Sequence, residues 1–411
     1  MRFNTALLHG DFRGDKKTGA TQTPVYQSSA FEHASAETLE KIFNNKAPGF
    51  SYSRIGNPTV DAFERRMTAL EGGIASVSCA SGMAAITNAF TNILRSGDEI
   101  ICSASLYGGS IDLFRDLENF GIKTHYVENN NIEQFEAATN DNTRLYFAET
   151  IGNPRLDVTD IKLLSEAAHK AGVPLIIDNT VATAYLIKPI EYGADIVVNS
   201  TSKYVNGNSN SISGVITDSG NFKWDSVKYP GMKEYAKFGP YAYTAKLRNG
   251  IYRNTGACLS PQNAFYNILG IETLGLRMER ITDNALKLAE YLDTNYSFLN
   301  VNYPGLKSSE FHAIADKELN NGYGGIITIR TGSKENAFKF INALKLPLNV
   351  SNIGDTKTLV IHPGSTISAH STEEEKKIAG VFDDLVRISV GIEDIEDLIE
   401  DFTQAVEFIQ Q

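Results

Sequence analysis

Between residues 74 and 217, short apolar runs alternate with helix-forming stretches, and few architectures accommodate that rhythm. The spacing predicts strands at 74–79, 99–103, 124–127, 145–149, 173–177, 195–199 and 213–217. Apolar residues run unbroken through Leu175-Ile176-Ile177 and Ile196-Val197-Val198. That pattern marks strands covered on both faces. Helical stretches fill most of the gaps, such as the one predicted over 161–171, which closes at Gly172. The alternation predicts an α/β fold: a mostly parallel, seven-stranded sheet with helices on both faces.

The flanks read differently. Residues 1–60 are polar, glycine-bearing and weakly periodic, an arm rather than a domain. Asn57-Pro58 then suits a helix start, with Asn as cap and Pro at the first helical position. Phe63, Met67 and Leu70 follow at helical spacing, and Gly72-Gly73 stop the helix. Around Pro261 the rhythm changes to a long helical region over 263–296, strands over 325–331 and 384–389, and a last helix over 396–409. The chain therefore divides into an arm (1–60), a large domain (61–262) and a smaller C-terminal α/β domain (263–411).

A formal net charge of −11 argues against nucleic acid or an anionic membrane surface as a partner. The three cysteines, Cys79, Cys102 and Cys258, are odd in number and lack CxxC spacing, so neither a disulfide framework nor a metal site is expected. No apolar run approaches membrane-spanning length, and the start lacks an apolar signal core. These features together predict a reduced, cytoplasmic protein.

Two side chains stand where such sheets bind ligands. Lys203 closes Asn199-Ser200-Thr201-Ser202-Lys203 directly after one apolar run, and Asp178 ends another. At the carboxyl ends of neighbouring strands, both point into the crevice of an open α/β sheet. Pyridoxal phosphate (PLP) uses such a pair: a lysine joins its aldehyde, and a carboxylate partners its ring nitrogen. The hydroxyls of Ser200 and Ser202 stand beside that lysine as partners for the phosphate. Singly, each charge reads as an ordinary loop or capping residue; together they name a cofactor.

Five further segments bear on the chemistry. Ala80-Ser81-Gly82-Met83-Ala84-Ala85 follows a predicted strand and opens a helix, a seat for an anion. Tyr107, in Leu106-Tyr107-Gly108-Gly109, can stack on a planar ring. Tyr52 and Arg54 lie on the arm, which could reach a neighbouring subunit's pocket. Asn153, in Gly152-Asn153-Pro154, could donate into the crevice. Arg387 interrupts an alternating strand, where a guanidinium is costly unless it meets a carboxylate, and its fork suits the α-carboxylate of an amino acid.

These segments resemble the Cys/Met-metabolism family of PLP enzymes, with the aspartate-aminotransferase-like fold type I, over residues 18–408. Phe238-Gly239-Pro240-Tyr241-Ala242-Tyr243, Gly256-Ala257-Cys258-Leu259-Ser260-Pro261, Glu272-Thr273-Leu274 with Arg277-Met278-Glu279-Arg280, and Asn352-Ile353-Gly354-Asp355 with His362-Pro363 are similar to O-acetylhomoserine sulfhydrylases. The resemblance implies that Lys203 binds the cofactor covalently, Asp178 pairs with its ring nitrogen and Tyr107 stacks on the ring. Gly82 and Met83 amides, with Ser200 and Ser202, would bind the phosphate. Asn153 would contact the 3-hydroxyl, and Arg387, with Asn352 beside it, the substrate carboxylate. Tyr52 and Arg54 would complete a neighbour's site, which implies a homo-oligomer of at least two chains, with a tetramer of active dimers expected and a dimer the alternative. The implied reaction is γ-replacement on O-acetylhomoserine by sulfide or a small thiol. Cystathionine γ-synthase and methionine or cystathionine γ-lyase are the alternatives.

Two departures stand out. Many sulfhydrylases carry Gly-His shortly after the lysine, where this chain has Gly207-Asn208; methionine γ-lyases place Cys where this chain has Gly109. A nicotinamide or nucleotide-binding enzyme is disfavoured, since no GxGxxG opens the first βα turn and no GxxxxGK[ST] occurs. A catalytically dead scaffold is disfavoured by the intact Lys203, Asp178 and Arg387 set.

Overall fold

A computed structural model of the chain describes residues 1–10, 14–15 and 18–410. Strands β1 (Ala75–Cys79), β2 (Glu99–Ser103), β3 (Lys123–Val127), β4 (Thr143–Glu149), β5 (Leu175–Asp178), β6 (Ile196–Asn199) and β7 (Gly214–Asp218) form one sheet. Its order is β1-β7-β6-β5-β4-β2-β3. Every strand the sequence predicts is present, within two residues of its expected bounds. The neighbours from β3 through β6 are parallel, and only β7 runs antiparallel to β6 and β1. Leu175, Ile176 and Ile177 are fully buried, as strands with helices on both faces must be. Each such side chain contributes about 1.5–3 kcal/mol.

The helix Pro58–Glu71 starts and stops as its sequence predicts. Asn57 Oδ1 accepts from the Thr59 N–H at 2.9 Å, and Gly72 ends the helix at φ +77°. The arm carries more order than its weak periodicity suggests, with helices Phe3–His9 and Ala36–Phe43. None of the residues of Ala36–Phe43 is buried against its own chain, and Leu39 and Phe43 are exposed.

The predicted long helical region is two helices, Pro261–Glu272 and Leu274–Asn295. The first packs its backbone on the segment after Lys203: a Cβ on Gly270 would stand 2.4 Å from the Val205 carbonyl oxygen. Strands β8 (Ile326–Arg330), β9 (Leu348–Asn349), β10 (Leu359–Ile361) and β11 (Leu385–Ser389) form a second sheet in the order β8-β11-β10-β9. Val386 and Ile388 of β11 face a core that includes Phe340 and Phe402. Strand alternation then turns Arg387 to the opposite face, toward the first sheet. Among the described residues no helix is long and apolar enough to cross a membrane, and no His/Cys/Asp/Glu group could hold a metal ion.

Candidate active site

A cavity of about 390 Å³ opens where β1, β2, β4, β5 and β6 end, closed on its far side by β11. Lys203, Asp178, Tyr107, Gly82, Met83, Ser200, Ser202, Asn153, Asn352 and Arg387 all line it. Residues scattered over three hundred positions meet there because the strands that carry them end at one edge. Tyr52 and Arg54 do not line it: Tyr52 is exposed, and Arg54 donates to the Arg253 carbonyl at 2.7 Å.

Lys203 donates to Asn352 Oδ1 at 2.6 Å. Burial lowers its amine to about 8, and the nearby Arg387 charge acts in the same direction. The backbone behind it is clamped by buried Arg277, which donates to the carbonyls of Tyr204 (2.6 Å), Val205 (3.2 Å) and Gly270 (2.6 Å). Gly207 leaves room for that clamp, since a Cβ there would stand 2.2 Å from Arg277 Nη1.

Asp178 pairs with Val198 across β5 and β6 and with Glu149 across β4 and β5. Burial raises its carboxyl to about 6, opposed by the Thr180 hydroxyl and the Thr180 N–H, which donates to Oδ1 at 2.9 Å. Burial, and then the charge of Asp178, hold Glu149 well above the ordinary carboxyl range. Like charges in one dry site cannot both ionise easily, so each of the two carboxyls is held above its ordinary range. Glu149 Oε1 also accepts from the Tyr107 N–H at 2.6 Å, which fixes Tyr107 at its helix start. A Cβ at Gly109 would stand 2.5 Å from the Tyr107 ring, so glycine there permits this ring position.

Arg387 is 3% exposed in the middle of β11. Its Nη1 donates to Asn153 Oδ1 (3.2 Å) and its Nη2 to the Asn352 carbonyl (3.1 Å), while Nε is buried with no partner. Burial depresses the guanidinium to about 10. An arginine so placed, facing neutral oxygens and keeping an unused donor, is set to receive an anion from the cavity.

Sequence reasoning gave no site role to Glu149, Thr180, Arg277 or Ser209. Thr180 accepts from the Ser200 N–H at 2.7 Å and so ties the loop after β5 to the loop after β6. Ser202 lines the cavity, yet its hydroxyl donates to the Ser213 carbonyl at 3.0 Å and accepts from the Ser213 N–H at 2.8 Å. Its only hydrogen is therefore spent on Ser213. Asn208 turns back to donate to the Asn206 carbonyl at 3.1 Å, and it is Ser209 that faces the cavity.

A sheet of this order, whose crevice sets an amine opposite a carboxylate, is that of a PLP-dependent enzyme of fold type I. The chain belongs to the Cys/Met metabolism PLP-dependent enzyme family, whose model matches residues 4–407. It is 43% identical to an O-acetyl-L-homoserine sulfhydrylase of Corynebacterium glutamicum, over 97% of this chain and 95% of that one. A Campylobacter jejuni structure described as an O-acetylhomoserine (thiol)-lyase, which carries a pyridoxyl-lysine phosphate, superposes with a TM-score of 0.96 at 32% identity, covering 99% of this chain and all of that one. A cystathionine γ-lyase from Lactobacillus plantarum superposes with a TM-score of 0.88 at 31% identity, covering 100% of both chains.

The cofactor is PLP, and the cavity fits it. Ser81 Oγ accepts from the Ala84 N–H at 3.0 Å, while the N–H groups of Gly82 and Met83 at the start of that helix meet no acceptor among the described residues. A Cβ at Gly82 would stand 2.5 Å from Ser200 Cβ, so only glycine leaves this cradle open. Open N–H groups at a helix N-terminus suit a phosphate.

Proposed function

We propose that the enzyme catalyses γ-replacement on O-acetylhomoserine, with sulfide or a small thiol as nucleophile, giving homocysteine or its S-alkyl relative and acetate. One observation carries the choice of substrate. Lys203 and Arg387 are the only side-chain cations among the described residues lining the cavity. The lysine serves the cofactor and the arginine one carboxylate, so this chain's own lining supplies no further cation for a second carboxylate. Ile86, Val181, Ile212 and Ile367 supply apolar lining, which suits a short neutral acyl group.

Bound in this cradle, PLP supplies a ring that accepts electrons from the substrate Cα. Asp178 is assigned to the ring nitrogen, Tyr107 to the ring face, and Asn153 to the 3-hydroxyl. Gly82, Met83 and Ser200, with Ser202 behind them, are assigned to the phosphate. Arg387 holds the α-carboxylate, with Asn352 between it and Lys203. The neutral Lys203 amine would take the proton from Cα and pass it to C4′ of the cofactor, which leaves it neutral again to take one from Cβ. Acetate leaves from Cγ with its bonding electrons, the sulfur adds to Cγ, and Lys203 would return its proton to Cβ and carry the other back from C4′ to Cα. Tyr52 and Arg54 are assigned to the neighbouring subunit's site, in a tetramer built from active dimers. The exposed Leu39 and Phe43 of the arm support such an association. The division into 1–60, 61–262 and 263–411 is retained, since each sheet falls within one segment. Three free thiols favour the cytoplasm.

The direct test offers purified holoenzyme O-acetylhomoserine or O-succinylhomoserine with sulfide. Homocysteine is expected from the acetyl ester at a kcat/KM at least about tenfold higher than from the succinyl ester. Equal use of both esters would overturn the acyl choice. Cystathionine formed when cysteine is supplied, or 2-oxobutanoate formed from methionine, as the faster reaction would overturn the reading in favour of the synthase or the lyase.

A further inference from the structure

Ser209 holds φ +52°, a left-handed conformation that serine seldom adopts, while its side chain lines the cavity. Its hydroxyl sits between two partners: Ser209 Oγ donates to Asp355 Oδ2 and accepts from Asn352 Nδ2 at 2.9 Å. The directions of these bonds are not free. Asp355 is 4% exposed; burial opposes its ionisation, but the Ser209 hydroxyl, the Lys357 N–H at 2.9 Å and the Lys357 charge outweigh that and hold it below the usual carboxyl range. A carboxylate only accepts, so the single hydrogen of Ser209 goes to Asp355. The serine oxygen can then only accept from Asn352, which must turn its NH₂ away from the cavity amine. The Asn352 oxygen is left facing Lys203 Nζ at 2.6 Å.

We propose that Ser209, backed by Asp355, is a positioning residue that locks the Asn352 amide with its oxygen toward Lys203. An oxygen there stabilises the lysine nitrogen whenever that nitrogen bears a proton, and a flipped NH₂ would oppose it. The strained backbone is the cost of placing a hydroxyl where glycine would sit without strain. The inference rests on the lysine–cofactor reading and not on the identity of the acyl substrate.

The test compares Ser209→Gly and Ser209→Ala holoenzymes with the parent. The readouts are the pH midpoint of the bound cofactor's visible absorbance, without substrate, and the thermal midpoint. The other groups around Lys203, namely Arg387 on β11, Asp178 and Glu149 on the large sheet and Tyr107 at the rim, are the same in all three proteins, as are Asp355 and Lys357 behind Asn352. Both variants are expected to lower the absorbance midpoint by about one pH unit. Ser209→Gly should unfold no earlier than the parent, because glycine takes φ +52° freely. A Ser209→Gly protein with an unchanged absorbance midpoint overturns the proposal, and it decides alone if Ser209→Ala does not fold. Failure of the γ-replacement reading would leave this titration intact, since no amino-acid substrate enters it.

Discussion

Lys203→Ala is expected to leave a folded protein that has lost its visible absorbance and turns over O-acetylhomoserine at least about 10³-fold more slowly. Folding should survive because the side chain is a desolvated amine, lowered to about 8, whose burial the native state bears as a cost. The loop around it is held instead by Arg277, through three backbone carbonyls. Absorbance and turnover should fall together if, as proposed, one nitrogen both anchors the cofactor and moves the substrate's protons. The same variant tests the arm. A chain with Lys203→Ala keeps Tyr52 and Arg54, while a chain with Arg54→Ala keeps Lys203. If the arm serves the neighbour, mixing the two inactive proteins should restore part of the turnover. No recovery after subunit exchange would return the arm to its own chain. Visible absorbance retained in Lys203→Ala would sink the assignment of the lysine.

Arg387→Ala is expected to lower kcat/KM for the amino-acid substrate by about 10²- to 10³-fold, mostly through KM. The guanidinium is buried, meets only neutral oxygens, and keeps an unpartnered Nε. The substrate's carboxylate is its proposed partner, and loss of a buried charged contact has that magnitude. A second effect follows from electrostatics. The Arg387 cation is one of two influences that lower the Lys203 amine to about 8, after burial. The lysine acts as a base only when neutral, so the rate in the parent should rise with pH through a limb near 8. Without the neighbouring positive charge the amine holds its proton more tightly, and the limb should move to higher pH. An Arg387→Ala enzyme with unchanged KM and an unmoved limb would show that the carboxylate binds elsewhere.

The parts of this architecture that could be read from sequence are those encoded locally. The runs Leu175-Ile176-Ile177 and Ile196-Val197-Val198 announce buried strands, and the charged residues that end them, Asp178 and Lys203, fall in the crevice because parallel strands share a carboxyl edge. Asn57-Pro58 and Gly72 mark their helix by capping chemistry alone. Other features needed long-range contacts. Arg277 looks like any helical arginine until Gly207 and Gly270 bring the lysine loop onto it. Glu149 reads as an ordinary strand end, and only the pairing of β4 with β5 sets it beside Asp178. Ser209 follows Gly207-Asn208 in a polar loop, and nothing local foretells its backbone angle or its reach to Asp355. The helix Ala36–Phe43 did leave a signal, a capping Ser35 with Leu39, Ile42 and Phe43 at helical spacing, which the polar composition of the arm obscured.

Borohydride reduction of the holoenzyme, followed by proteolysis and mass mapping, asks most directly whether this chain works through one lysine. The pyridoxyl label is expected on the peptide that contains Lys203 and on no other. A label on a different lysine, or a reduced protein that releases all of its cofactor on unfolding, would contradict the account of the site.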